Sequence, residues 1–192
     1  MPVFWEYFNT GFHYILSAVT YFTLLLLILL SAPYIFKDWK KILILLGFFT
    51  LGHCIALILS LYDIIVIKAY IIKLIVPIAI LFTALYNIFT SGKSGKKTGI
   101  SFISFTMLTF GTFYGLSFSN YIEQSIVDTQ TNKLTIALGF ESGVIAAQLL
   151  AVVGTLLLSF IIQNFLRFSK RDWIIMTAAL ITGIILPVII NS

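Results

Sequence analysis

The sequence predicts an all-α fold: a polytopic membrane helix bundle of about six transmembrane helices, with both termini outside. Composition is the first reason. The 192 residues are 60% hydrophobic and only 10% charged, with mean hydropathy +1.07, whereas a soluble domain carries about 25% charged residues. Segment length is the second. Six apolar runs, at about 11–36, 42–61, 69–89, 100–119, 135–166 and 173–190, are each long enough to cross roughly 30 Å of hydrocarbon at 1.5 Å per helical residue. Charge placement is the third. Lys37, Lys40, Lys41, Lys93, Lys96, Lys97, Arg167, Lys170 and Arg171 all fall in alternate loops, on one side. The other side has only Lys68, Lys73 and Lys133, beside Glu6, Asp63, Glu123 and Asp128. The cation-rich side is the inside, so both termini face out.

Taken in order, the opening Pro2–Phe8 is aromatic with one acid, Glu6, and suits an interfacial collar. No basic stretch or small-residue cleavage site accompanies the first apolar run, so no removable leader and no appended soluble domain are expected. The second span carries Gly52, Ala56 and Ser60, the fourth Gly111, Gly115 and Ser119, and the fifth Gly139, Gly143, Ala147 and Ala151. A small residue at every fourth position leaves a shallow groove. Lipid supplies no hydrophobic drive for helix association, so close backbone approach must supply it. Pro77 removes one backbone donor from the third span and predicts a kink there. The fifth segment is too long for one perpendicular span, so it tilts, projects, or breaks near Gly139 and Gly143. The whole chain, residues 1–192, reads as one transmembrane domain.

Several functions have no support. The run Ser91–Gly99 lacks the upstream glycine and the preceding strand of a phosphate loop. There is no nucleophile elbow, no histidine pair at i, i+4 and no paired carboxylates, so no enzyme is expected. The net charge of +5 lies in membrane-flanking loops, so no nucleic-acid partner is expected either. The single cysteine, Cys54, reads as a small packing residue.

Candidate functional residues are the polar groups placed where the pattern demands hydrocarbon. His53 lies in the second span, roughly 12 Å from its outer end by helical rise, with Thr50 and Ser60 on its face. Glu141 lies about 9 Å into the fifth span, with Gln148 and Thr155 repeating it every seven residues, opposite the glycine stripe. His13 sits at the mouth of the first span and Tyr114 near the outer end of the fourth. All are in the outer half and could line one cavity, with Thr50, Tyr114 and Gln148 as lining candidates. A buried glutamate is costly unless paired, metal-bound or protonated, and its simplest partner is His53. The two bind a cation or relay a proton on one reading, and brace two spans by a hydrogen bond on the other. His13 also fits an ordinary interfacial histidine, and Tyr114 an ordinary buried tyrosine.

The chain resembles the HupE/UreJ family of small membrane proteins, linked to nickel and cobalt uptake. The pieces that carry the resemblance are Asp38-Trp39-Lys40-Lys41, Thr50-Leu51-Gly52-His53, Pro77 through Ala84-Leu85-Tyr86-Asn87, Gly115-Leu116-Ser117-Phe118-Ser119, Leu138-Gly139-Phe140-Glu141 and Arg171-Asp172-Trp173. The resemblance implies His13, His53 and Glu141 as metal ligands. It also implies a transported nickel or cobalt ion rather than a firmly bound cofactor, and a place in the bacterial inner membrane. The sequence departs from the family pattern at Tyr14, Ser17, Thr20, Phe22, Thr23 and Tyr114, where family ligands or their neighbours are expected. Nickel and cobalt favour imidazole and carboxylate donors in several-coordinate sites, so the remaining set predicts weaker, less selective binding. The alternative is a non-transporting scaffold or subunit that has kept the fold. Its partners would be the lipid bilayer and a second copy or another membrane protein.

Overall fold

A computed structural model describes residues 2–16, 28, 32–62, 64–65, 69–91, 100–125 and 133–191. In hydrocarbon every backbone N–H and C=O must be bonded within the segment, which leaves helices as the solution for a chain of this composition. The described residues form six α-helices and no strand. They are α1 (Pro2–Leu16), α2 (Trp39–Leu61), α3 (Ala69–Thr90), α4 (Ile100–Ser125), α5 (Lys133–Phe165) and α6 (Lys170–Ile190), with a 3₁₀ turn at Phe36–Asp38 ahead of α2. Three are long and apolar enough to cross a membrane: α2 over Trp39–Ser60, α5 and α6. In α3 the apolar stretch is the shorter Leu74–Thr90.

The boundaries refine the sequence reading in three places. Helix begins at Pro2, ahead of the span expected from about Gly11, so the aromatic opening is part of α1 and packs on α5. The expected collar also has a structural role, because Phe4 and Phe8 present their carbonyls to Gly139 and Gly143. The fourth helix runs on to Ser125. The long fifth segment does not break at its glycines: α5 is one helix of 33 residues, about 50 Å at the standard rise. Most of the expected first span, with Ser17, Thr20, Phe22 and Thr23, and the loop carrying Lys93, Lys96 and Lys97 lie outside the described residues. Pro77 is buried inside α3, which stays helical on both sides of it.

The small-residue stripes meet as pairs. Helix α2 packs most closely on α4, α1 on α5, and α3 on α6, while α5 also touches α2. A Cβ on Gly52 would strike the carbonyl of Leu108, one on Gly111 that of Phe49, and one on Gly115 that of His53. On the other pair, a Cβ on Gly143 would strike the carbonyl of Phe8, and one on Gly11 that of Phe140. At these points backbone lies against backbone, as the stripes predict. By contrast, Gly47, Gly154 and Gly183 would meet nothing within 4 Å.

The helix ends on the lysine-rich side are defined locally. Ser169 caps α6: its hydroxyl accepts from the Asp172 N–H at 3.2 Å, and the Asp172 carboxylate accepts from the Ser169 N–H at 3.3 Å, closing a capping box. Asp38 pairs with Lys41 at 2.7 Å. The Lys41 hydrogen bond holds the Asp38 carboxyl below its ordinary pKa. That pair therefore persists at neutral pH and weakens only as pH falls through the lowered value.

The glycine contacts divide into two classes that stability measurements can separate. Gly111→Ala and Gly143→Ala force backbones apart and should cost at least about 1–3 kcal/mol, the range for overpacking. Gly47→Ala and Gly183→Ala enter open space, and each should be neutral or gain up to about 1 kcal/mol of helix propensity. Thermal unfolding in a mild detergent checks all four, and a loss of stability in both classes would contradict this assignment.

Candidate functional site

Rotation along α2 sets the site. Gly52 faces α4, and the next residue turns by about 100° around the helix axis, which carries the His53 side chain toward α5. On α5, Gly139 and Gly143 face α1. Glu141 lies midway between them, about 200° round from either, and so looks away from α1, toward α2. His53 Nδ1 and Glu141 Oε2 meet at 2.6 Å. The pair is sealed, with His53 only 1% and Glu141 only 5% exposed.

Aromatic rings enclose the imidazole. Phe49, one turn back on α2, lies nearly parallel to it at 6.1 Å between centroids, and Phe140 of α5 does so at 6.3 Å. Neither phenylalanine is exposed at all. Tyr114 of α4 packs on Phe49, and Tyr14 of α1 on Phe140, so four helices contribute to the wall. The Cys54 thiol also lies against Glu141. Toward the lysine-rich end of α2, the Thr50 hydroxyl donates to Gln148 Oε1 at 3.4 Å, a long bond. Thr50 and Gln148 border an open groove of about 400 Å³, otherwise walled by apolar side chains that include the exposed Leu43 and Leu51.

The pair's free atoms define its chemistry. Among the described residues, His53 Nε2, Glu141 Oε1 and Gln148 Nε2 are buried without a nitrogen or oxygen partner, and the Cys54 thiol is the further donor beside the Glu141 carboxylate. An electrically neutral pair holds two protons. One fits between Nδ1 and Oε2, and the other must sit on Nε2 or Oε1, where the described residues offer no nitrogen or oxygen acceptor. Leaving a buried donor unpaired costs about 1–3 kcal/mol. With one proton, Nδ1–H donates to the carboxylate, and two lone pairs remain on a net negative charge. That form requires a cation. The donor set of the pair therefore suits either a second proton or a cation.

The other expected site residues are placed less centrally. Thr50 and Gln148 extend the same α2–α5 seam. Tyr114 is buried at 4% exposure and reaches the pair's surroundings through Phe49. His13 is exposed on α1 and packs edge-on against Phe12. Among the described residues, no three His, Cys, Asp or Glu side chains come together to hold a metal ion, so His13 does not complete the pair as the expected three-ligand set would require. Phe49 and Phe140 wall the site without having been named as site candidates from the sequence, and Cys54, read there as a small packing residue, lies beside Glu141. The i−4 spacing of Phe49 from His53 was the available signal for one of them.

A family model described as HupE / UreJ protein matches residues 1–190. The chain belongs to the HupE/UreJ family. Its members are membrane proteins associated with nickel and cobalt transport, not catalysts. Comparison with curated proteins and with solved structures returned no match. In this HupE/UreJ chain, two of the residues that carried the resemblance, His53 and Glu141, are the two that meet in the core.

A double-mutant cycle tests the pair's energetics. His53→Ala or Glu141→Ala alone strands a buried polar partner and should cost about 3–5 kcal/mol. His53→Phe with Glu141→Leu replaces both by apolar groups and should cost far less than the sum of the singles. Additive losses in chemical denaturation would mean that the two side chains do not interact.

Proposed function

We propose that this protein carries a divalent cation of the nickel or cobalt class across the bacterial inner membrane, with His53 and Glu141 as its central ligands. The observation that carries the reading is the buried pair, each member of which has, among the described residues, one atom without a nitrogen or oxygen partner. An imidazole and a carboxylate suit these metals, and a negative pair in a dry core favours a cation over any neutral passenger. Six spans with both termini outside would put the pair in the outer half of the bundle. His13, exposed on α1, then acts as an outer capture ligand and not as a member of the central set. Thr50 and Gln148 supply oxygen donors on the inward side. Water and neighbouring groups complete a coordination shell that two protein ligands leave open.

A second reading has its own observation. With no third His, Cys, Asp or Glu beside the pair among the described residues, His53 and Glu141 also fit a strut in a non-transporting subunit. One experiment separates the two. Nickel and cobalt uptake is measured in proteoliposomes holding the native chain, His53→Ala, Glu141→Gln or His13→Ala. Transport predicts a loss of tenfold or more for the first two variants and a smaller loss for His13→Ala. The strut predicts equal background uptake in all four, with lowered thermal stability confined to the two core variants.

A further inference from the structure

The lysine-rich end of the bundle carries charge that the described residues do not neutralise. Two segments meet there. Ala32, just before the 3₁₀ turn, is buried in one apolar cluster with Trp173 and Ile174 of the first turns of α6. Asp38 lies close enough to Lys170 to feel its charge. Residues 37–41 and 167–171 are therefore neighbours, and together they hold Lys37, Lys40, Lys41, Arg167, Lys170 and Arg171, all exposed.

The carboxylates at this end are engaged locally: Asp38 accepts from Lys41, and Asp172 closes the cap of α6. Among the described residues, Lys41 is the only one of the six cations with a carboxylate partner. Lys40 lies over the ring of Trp39, itself 54% exposed, a placement suited to headgroup depth. Arg167 holds a left-handed backbone, φ 55°. Glycine is the usual residue just past a helix end in that conformation, so the arginine is kept there at some backbone cost.

We infer that this end of the bundle is a binding surface for anionic phospholipid headgroups, with Lys37, Lys40, Arg167, Lys170 and Arg171 meeting the phosphates. Both basic segments flank apolar spans, α2 and α5–α6, at the point where these leave hydrocarbon. The acyl chains of the same lipid then lie along exposed apolar side chains such as Leu43, Phe165 and Leu166. A soluble anion would lack that second contact. Cations near a membrane surface attract anionic lipid additively, over about a Debye length.

The test uses the full chain in mild detergent, supplied with equal amounts of phosphatidylglycerol and phosphatidylcholine. Native mass spectrometry reads the lipids retained. The native protein should keep phosphatidylglycerol at least fivefold over phosphatidylcholine and unfold at a higher temperature in its presence. Inorganic phosphate should not reproduce the thermal shift. Combining Lys37→Gln, Lys40→Gln, Arg167→Gly, Lys170→Gln and Arg171→Gln should abolish the preference. Lys133→Gln, at the opposite end, should leave it intact. Equal retention of the two lipids by the native chain would overturn the proposal, as would an undiminished preference in the combined variant. A thermal shift matched by phosphate alone would overturn the lipid assignment. The five sites are exposed, and the native chain's own lipid ratio is informative whether or not the combined variant folds.

Discussion

Backbone-to-backbone contact at glycine is the constraint from which the rest of this structure follows. Where α2 meets α4 and α1 meets α5, there is no room for a Cβ. In lipid, helices gain little by hiding leucine from hydrocarbon, so dispersion at close range has to hold them together. Two such seams also fix rotation. With Gly52 committed to α4 and Gly143 to α1, one of the remaining faces of α2 meets one of α5. The buried polar residues lie on those faces.

The cost of that meeting explains its geometry. A carboxylate and an imidazole in a dry core are stable only as a bonded pair, and Glu141 and His53 are bonded at 2.6 Å. Enclosure by Phe49 and Phe140 excludes water from the ring's surroundings, which raises the stakes of every unpaired atom. Among the described residues, His53 Nε2 and Glu141 Oε1 lack a nitrogen or oxygen partner. On the proposed function, that is where a small cation or proton has most to gain. At the far end of the bundle the same low-charge composition has a different effect. Its few cations are gathered where hydrocarbon ends, and too few carboxylates accompany them for internal pairing.

Much of this was legible in the chain. The helical class, the long fifth segment and the small-residue stripes follow from composition and period, which local physics reads directly. Glu141 and His53 could be named, because an ionisable residue in an apolar run stands out. Other expectations shifted. The start of α1 moved to Pro2 because aromatic residues that suit an interface also pack well on a glycine groove. Of the three alternatives open for the fifth segment, a break at Gly139 and Gly143 is excluded, because glycines that weaken an isolated helix are supported here by α1. His13 shared a residue type with His53 but not its surroundings, and one-dimensional spacing cannot distinguish an outward from an inward face.

By itself the sequence determined that the protein is a helical membrane bundle, which residues are too polar for its interior, and which stripes allow close approach. These are properties of single segments, set by hydrophobicity and by a period of 3.6 residues per turn. Only the tertiary structure decided which stripe meets which, that the faces left over bring His53 to Glu141 across 88 residues of chain, and that His13 stays outside. Each of these depends on how several helices share limited space, because a glycine contact used by one pair of helices is no longer open to another.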